Sequence, residues 1–142
     1  MIGDLLAHYA MSFVGVPYLW GGNNAIEGFD CSGLAVEVLK AFGFKLQDMT
    51  AESLYLWCKT MNFRPEARAG SLAFYGRDGK VLHVGLMINK DLIVEAGGGG
   101  PTTTSQDAAA SLDACVRVRP LRHRPDLIGH YYPNYIVSRV VT

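Results

Sequence analysis

The chain has 142 residues, 49% of them hydrophobic, and its 13 lysines and arginines balance 13 aspartates and glutamates. This length and apolar content suit one compact domain covering residues 1–142. A formal net charge of zero argues against a nucleic-acid partner, and no apolar run approaches the roughly 20 residues that a membrane span needs.

Three helices are predicted in the first part of the chain. Apolar residues at spacings of three and four indicate an amphipathic helix over 2–14. A second helix is predicted over 31–41, with Asp30 as its N-cap and Gly43 just beyond its end. A third is expected over 50–61, where apolar side chains again recur on one face. The glycine-punctuated segment between the first two helices is predicted to be a loop.

After Gly70 the apolar residues alternate with polar ones, which is typical of strands. Strands are predicted over 71–75, 81–88, 91–96, 114–119 and 135–141, a loop over 97–106 and one helical turn over 107–112. Short, turn-rich segments join the first three strands, which are expected to form a meander. Helices followed by strands indicate an α+β fold with an antiparallel sheet.

The three cysteines form an odd set without a C-x-x-C pair, so neither a disulfide framework nor a zinc ribbon is indicated, and no metal or other cofactor is expected. Cys58 and Cys115 have no nearby base in the sequence and are interpreted as structural. Cys31 lies in "GFDCSGL", at the first turn of the predicted second helix, where free backbone N–H groups and the helix dipole favour a thiolate. It is either a small buried residue heading an apolar face or a nucleophile that needs a base from elsewhere in the chain.

His83 is the candidate base, because it interrupts the apolar strand "VLHVGLMI". The alternative is a histidine satisfied by a backbone carbonyl. Glu95 becomes a same-face neighbour of His83 if residues 89–91 form a three-residue loop, which pairs Gly85 with Glu95. A two-residue loop would turn the carboxylate away, which leaves a solvated acid.

The glycine run, the arginines and the other histidines are not assigned a catalytic role. The glycine run at 97–100 lacks the following G-K-[ST] of a phosphate-binding loop and is expected to form a flexible wall of a groove. Arg117 and Arg119 share one strand face, which is expected to be solvated; a docking surface for an anionic polymer or a partner protein is the alternative. His8 is expected to be either exposed or packed in the core, and His123 and His130 are expected at the surface.

In order and spacing, "GVPYLWGGNNAIEGFDCSGL", "GSLAFY", "HVGLMI" and "IVEA" resemble the NlpC-type cell-wall cysteine peptidases, a bacterial and phage branch of the papain-like fold. The resemblance spans about residues 5–96. It implies helices packed on an antiparallel, barrel-like sheet, with Cys31 as nucleophile and His83 as base. The third polar residue of the family, usually His, Asn or Gln, falls on Glu95, and an acid there can still orient the imidazole.

The resemblance also assigns three positions around the cysteine. Tyr18 matches the tyrosine of the P-Y-x-W-G-G segment, whose hydroxyl lies near the cysteine and the oxyanion. Asp30 and Ser32 match the D-C-S-G motif, which in relatives helps to shape the pocket for the amino end of the stem peptide. The alternatives are a core aromatic residue for Tyr18 and a helix cap for Asp30.

The resemblance implies a peptidase that cuts peptidoglycan stem peptides or muropeptides between D-glutamate and the adjacent diamino acid. The alternatives are an amidase or acyltransferase on the same scaffold, or a non-catalytic binding module, which Glu95 favours. Phage tail or virion proteins are candidate partners. The first residues lack the basic segment of a signal peptide, so we expect a cytoplasmic protein or delivery to the wall by a phage.

Overall fold

The computed structural model describes residues 2–19, 21–24, 28–97 and 114–135. Within these ranges the helices are α1 (Ile2–Met11), α2 (Cys31–Ala41) and α3 (Ala51–Thr60). The strands are β1 (Asn23–Asn24), β2 (Gly28–Phe29), β3 (Leu72–Arg77), β4 (Lys80–Met87), β5 (Leu92–Gly97), β6 (Cys115–Pro120) and β7 (Leu127–Tyr131). In the part of the chain described, none of the helices combines the length and the apolar character that crossing a bilayer requires.

The helix boundaries follow from their caps. The Asp30 carboxylate accepts the backbone N–H of Gly33 at 2.6 Å, which confirms the predicted N-cap of α2. Thr50 caps α3 in the same way, since its hydroxyl accepts from the N–H of Ser53 at 3.1 Å. The first helix is shorter than predicted and ends at Met11, because the N–H of Gly15 bonds to a carbonyl of β6 instead of continuing the helix.

The sheet has the strand order β6-β5-β4-β3-β7, and every pair in it is antiparallel. The predicted meander of β3, β4 and β5 is confirmed. The barrel-like closure that the resemblance implied is wrong for the described residues, because β6 and β7 remain at opposite edges and do not pair.

Three further differences concern local elements. β7 forms where no strand was expected, because residues 127–131 pair with β3, a partner about 55 residues earlier. The short β1–β2 ribbon lies in the segment predicted to be a loop. The predicted helical turn at 107–112, and almost all of the predicted loop 97–106 and strand 135–141, lie outside the described residues.

Each face of the sheet has its own core. The helices pack on one face, where Leu34, Val38 and Leu39 of α2 join strand residues such as Phe74 and Leu86. The other face carries a smaller cluster of Ala73, Tyr75, Met87, Ile93 and Leu121. The second face also receives the connection from β6 to β7, which runs from one edge of the sheet to the other.

We call this connection, residues 121–126, the crossing loop. Hydrogen bonds hold the loop at both of its ends. The N–H of Leu121 donates to the Asp91 carbonyl at 2.8 Å, and the Tyr75 hydroxyl donates to the Leu121 carbonyl at 2.6 Å. At the far end, the N–H of Gly76 donates to the Asp126 carbonyl at 2.9 Å.

Candidate active site

Cys31 is the first residue of α2 and is half-buried. It follows the N-cap directly, so the backbone N–H groups of the first helical turn have no acceptor within the helix and point toward the same end. The segment before the helix packs tightly on it, because a Cβ added at Gly33 would collide with the carbonyl oxygen of Gly22. The sequence "DCSG" therefore fixes the thiol at a helix N-terminus that a second segment holds in place.

His83 and Glu95 form a buried pair on β4 and β5. Leu86 pairs with Val94 and Met87 with Ile93, which continues to Gly85 opposite Glu95. Of the two loop lengths that the sequence left open, the structure has the three-residue one. The Nε2 of His83 lies 2.8 Å from Oε1 of Glu95, and because a carboxylate only accepts, Nε2 carries the hydrogen. The two residues are 8% and 2% exposed.

The thiol and the imidazole also interact. Burial lowers the pKa of His83, but the charge of Cys31 and hydrogen bonds with Cys31 and Glu95 outweigh it and raise that pKa to about 9. With Nε2 committed to Glu95, Nδ1 is the ring nitrogen left for the thiol. The structure thus brings Cys31, His83 and Glu95 into one chain of polar contacts.

Glu95 faces more positive charge than the sequence suggested. Oε1 lies 3.4 Å from Nε2 of His123, and Oε2 lies 3.9 Å from Nε of Arg119. Burial alone would raise the pKa of Glu95, but the hydrogen bond and charge of His83, with the charges of His123 and Arg119, hold it below its usual value. The carboxylate is therefore ionised.

Two expectations from the sequence are corrected here. His123 was expected at the surface and Arg119 on a solvated face, yet their side chains are only 15% and 33% exposed and both turn toward Glu95. His130 is half-buried on β7, and His8, for which the sequence left exposure and core packing open, is exposed. Both expectations were wrong because His123 and Arg119 come close to Glu95 only when β6 pairs with β5, and these strands are far apart in the chain.

Tyr18 is buried beside the cysteine. Its N–H donates to the Ala114 carbonyl at 3.0 Å, and it bridges to Phe29, so the residues ahead of β6 and the β1–β2 ribbon hold it from two sides. Burial raises the pKa of Tyr18, and the charges of Cys31 and Asp30 raise it further. Its hydroxyl is therefore protonated and available as a donor.

Asp30 and Ser32 line a cavity next to the start of α2. The cavity has a volume of about 260 Å³ and is lined by Gly21, Gly22, Asn23, Asp30, Ser32, Gly33, Asp48, Met49 and Thr50. Burial raises the pKa of Asp30, and hydrogen bonds from the Gly33 N–H and the Ser32 hydroxyl oppose that rise. Asp30 is thus both the helix cap and part of a cavity wall, while Asp48 is a wall residue that sequence reasoning did not single out.

The other cysteines differ from Cys31. Cys58 is fully buried in the helix-side core, and burial raises the pKa of its thiol to about 12, which suits a structural residue. Cys115 is half-buried on the edge strand β6, where its sulfur accepts from the Arg117 guanidinium at 3.5 Å. Among the described residues, no three His, Cys, Asp or Glu side chains are grouped so that they could hold a metal ion.

Comparison with known proteins gives matches in both sequence and structure. The sequence profile of the NlpC/P60 family matches residues 15–119. The chain is 39% identical over 82 residues to the bifunctional muramidase/DL-endopeptidase CwlT of Bacillus subtilis, an alignment that covers 56% of this chain and 24% of that protein. It is 34% identical over 98 residues to the peptidoglycan endopeptidase RipA of Mycobacterium tuberculosis, covering 61% of this chain and 20% of that protein.

The fold is shared with solved structures as well. The P60 domain of an antigen from M. avium subspecies paratuberculosis superposes with a TM-score of 0.65 at 24% identity, over 96% of this chain and 99% of that one. The chain spans a quarter or less of the two curated relatives above. Because the profile match takes in most of the chain and includes Cys31, His83 and Glu95, the chain belongs to the NlpC/P60 family.

Proposed function

We propose that this domain is a cysteine peptidase that hydrolyses peptidoglycan stem peptides, with Cys31, His83 and Glu95 as its triad. The observation that carries the proposal is a half-buried thiol at a helix N-terminus, interacting with an imidazole whose other nitrogen is bonded to a buried carboxylate. Two relatives, one a muramidase/DL-endopeptidase and the other a peptidoglycan endopeptidase, support a wall peptide as the substrate.

The mechanism follows from the hydrogen positions. Nδ1 of His83 takes the proton of the Cys31 thiol, and the thiolate attacks the carbonyl carbon of the scissile bond. The C–N bond breaks as the amine leaves with the proton from Nδ1, and a thioester remains on Cys31. A water then attacks the thioester with His83 as base, which releases the acid product and restores the thiol. Glu95 holds the ring and stabilises the imidazolium in both halves.

The negative charge on the attacked carbonyl oxygen needs donors near the thiol. The N–H of Gly33 is used by the Asp30 cap, so we propose the backbone N–H groups of Cys31 and Ser32, in the same turn of α2, for this role. We propose the Tyr18 hydroxyl as a further donor, because the residue is buried next to Cys31 and its raised pKa keeps the proton in place.

The cavity beside α2 suits the amino end of a stem peptide. Two carboxylates, those of Asp30 and Asp48, stand on its wall and would attract an ammonium group. With the amino end held there, we propose that the peptide is cut between D-glutamate and the diamino acid.

The test is to incubate the purified protein with defined muropeptides of different lengths, beside the Cys31→Ser variant. We expect cleavage by the wild type, none by the variant, and product masses that place the cut after D-glutamate. Cleavage that survives the substitution would contradict the proposed nucleophile. A product joined to an added amine acceptor would indicate an acyltransferase, and tight binding without turnover would indicate a binding module.

A further inference from the structure

The Glu95 carboxylate has more charged or ionisable neighbours than the single histidine that a triad requires. Among the described residues, positive or ionisable groups reach its carboxylate from three directions: His83 from β4 at 2.8 Å, His123 from the crossing loop at 3.4 Å and Arg119 from β6 at 3.9 Å. Tyr75 approaches from β3, where burial raises its pKa and the nearby charge of Glu95 raises it further. Glu95 and His83 are both buried, so these neighbours set the charge of the pair.

The position of His123 is determined by several contacts. Its Nδ1 lies 3.0 Å from the carbonyl oxygen of Pro120, and its ring packs against Tyr75 with centroids 5.8 Å apart. Tyr75 in turn fixes the crossing loop through its hydroxyl. The imidazole is thus directed at Glu95 by a backbone carbonyl on one side and an aromatic ring on the other.

The two ring nitrogens of His123 face acceptors at different distances. Nδ1 lies 3.0 Å from the carbonyl oxygen of Pro120, which is a hydrogen-bond distance, and Nε2 lies 3.4 Å from Oε1 of Glu95, which is an ion-pair distance. A carbonyl oxygen and a carboxylate oxygen only accept, so the ring presents an N–H group to both only in its protonated form. In that form it places a second positive charge beside Glu95.

A second cation keeps the Glu95 carboxylate paired while the charge of His83 changes during the reaction cycle. His83 is positively charged when it holds the thiol proton and neutral after it has given that proton to the leaving amine. With His83 as its only partner, a buried carboxylate would then be an unpaired charge in a low-dielectric site, and it would tend to take up a proton itself. Arg119 cannot lose its charge, and His123 lies closer still.

We propose that His123, together with Arg119, is a positioning residue of the catalytic centre: it keeps Glu95 ionised and directed at His83 in both halves of the cycle. This inference rests on the proposed peptidase function. It explains how an acid serves at a position where the family usually has His, Asn or Gln, because an acid there needs a fixed counter-charge and a neutral residue does not.

The experiment compares His123→Phe, which keeps the ring against Tyr75 but removes both nitrogens, with His123→Gln, which keeps an N–H donor near the position of Nε2. Arg119→Met keeps the stem of the side chain and removes the charge. The control is Arg124→Met, in the same crossing loop, where the guanidinium pairs with Asp126 at 2.7 Å and has no recorded contact with Glu95.

For each protein, the 13C-carboxyl NMR signal of Glu95 is titrated, and kcat and KM are measured on a muropeptide. In His123→Phe and Arg119→Met we expect the pKa of Glu95 to rise by about one unit, since a neighbouring cation lowers a carboxyl pKa by roughly one to three units. We expect kcat to fall on the order of 10-fold with little change in KM, the lower end of the range known for residues that orient metal-binding side chains. His123→Gln keeps an N–H donor but no charge, so its kcat is expected to lie between those of the wild type and His123→Phe.

The outcomes separate the possible failures. If the loop only has a structural role, Arg124→Met will lower kcat as much as His123→Phe does, and the proposal is overturned. It is also overturned if the Glu95 titration is unchanged in folded His123→Phe and Arg119→Met. If the wild type cleaves no muropeptide, the proposed function fails, but the carboxyl titration still decides whether His123 and Arg119 hold Glu95 ionised.

Discussion

Replacing Glu95 with glutamine tests how the carboxylate acts on His83. Glutamine keeps the size of the side chain and an oxygen that can accept from Nε2, now 2.8 Å from Oε1 of Glu95, but removes the negative charge. Hydrogen bonds to a charged group contribute about 1.5–3 kcal/mol and neutral ones about 0.5–1.5 kcal/mol, so the imidazolium loses on the order of 1–1.5 kcal/mol.

One pKa unit corresponds to about 1.36 kcal/mol, so the pKa of His83 is expected to fall by about one unit. In the wild type it lies at about 9. The assay is an NMR titration of the Cε1–H signal of His83 in 13C-labelled protein, which needs no substrate. Cys31→Ser is expected to lower the same pKa by more, because the interactions with Cys31 are the largest of those that raise it.

The raised pKa of His83 also makes the stability of the fold depend on pH in a definite direction. The pKa of His83 is raised from 6.5 in the unfolded chain to about 9 in the fold, so its stabilising contribution is complete below pH 6.5 and is lost as the pH rises toward 9. The free energy of unfolding should therefore fall across this window. In Glu95→Gln the fall should be smaller by about 1.4 kcal/mol, the equivalent of one pKa unit.

The control is Glu66→Gln, because Glu66 is a partly exposed acid that pairs with Arg64 and Arg68 on the surface. It should leave the titration of His83 unchanged. An unchanged or raised pKa of His83 in folded Glu95→Gln would refute the reasoning, since it would mean that the carboxylate does not stabilise the imidazolium.

Three further predictions concern the surroundings of the triad. Tyr18→Phe should lower kcat on the order of 10²–10³-fold without changing the thermal unfolding midpoint if the hydroxyl donates to the oxyanion; an unchanged kcat contradicts that role. Asp30→Ala should cost about 1 kcal/mol in chemical denaturation by removing the cap of α2, while Asp30→Asn should keep most of it; equal losses would exclude capping as the cause. Gly97→Ala places a Cβ 3.3 Å from Oε2 of Glu95 and should lower kcat on the order of 10-fold, whereas Gly129→Ala, with no atom within 4 Å, should not; equal kcat values in the two variants would contradict the steric argument.

Short-range sequence patterns were sufficient to predict the helix and strands around the nucleophile. Asp30 before an apolar helix predicted both the cap and the first residue of α2, and the turn residues predicted the meander. Between β4 and β5 the sequence left two loop lengths open, and each placed Glu95 on a definite face because the side-chain period of a strand is two; the structure has the three-residue loop. Each of these depends on contacts within about 20 residues.

Apart from the short β1–β2 ribbon, the errors concern contacts between distant segments. β7 has a weak strand pattern, and its pairing with β3 is decided by the sheet and not by its own sequence. His123 and Arg119 meet Glu95 only after β6 has paired with β5, and about 17 residues separate those strands in the chain. No local signal sets that register, so the surroundings of the carboxylate were not predictable even though the carboxylate itself was.

The crossing loop leaves the chain almost no spare length. The seven steps from Pro120 to Leu127 span at most about 25 Å when fully extended, and a turn at His123 shortens that reach. In a flat sheet the two edge strands would stand four spacings apart, about 19 Å, before any offset along the strands is added. The loop therefore has little slack across the width of the sheet. Deleting one residue from the loop would draw β6 or β7 away from the strand that it pairs with. Inserting residues would let these two edge strands move apart and would move the His123 imidazole away from the Glu95 carboxylate.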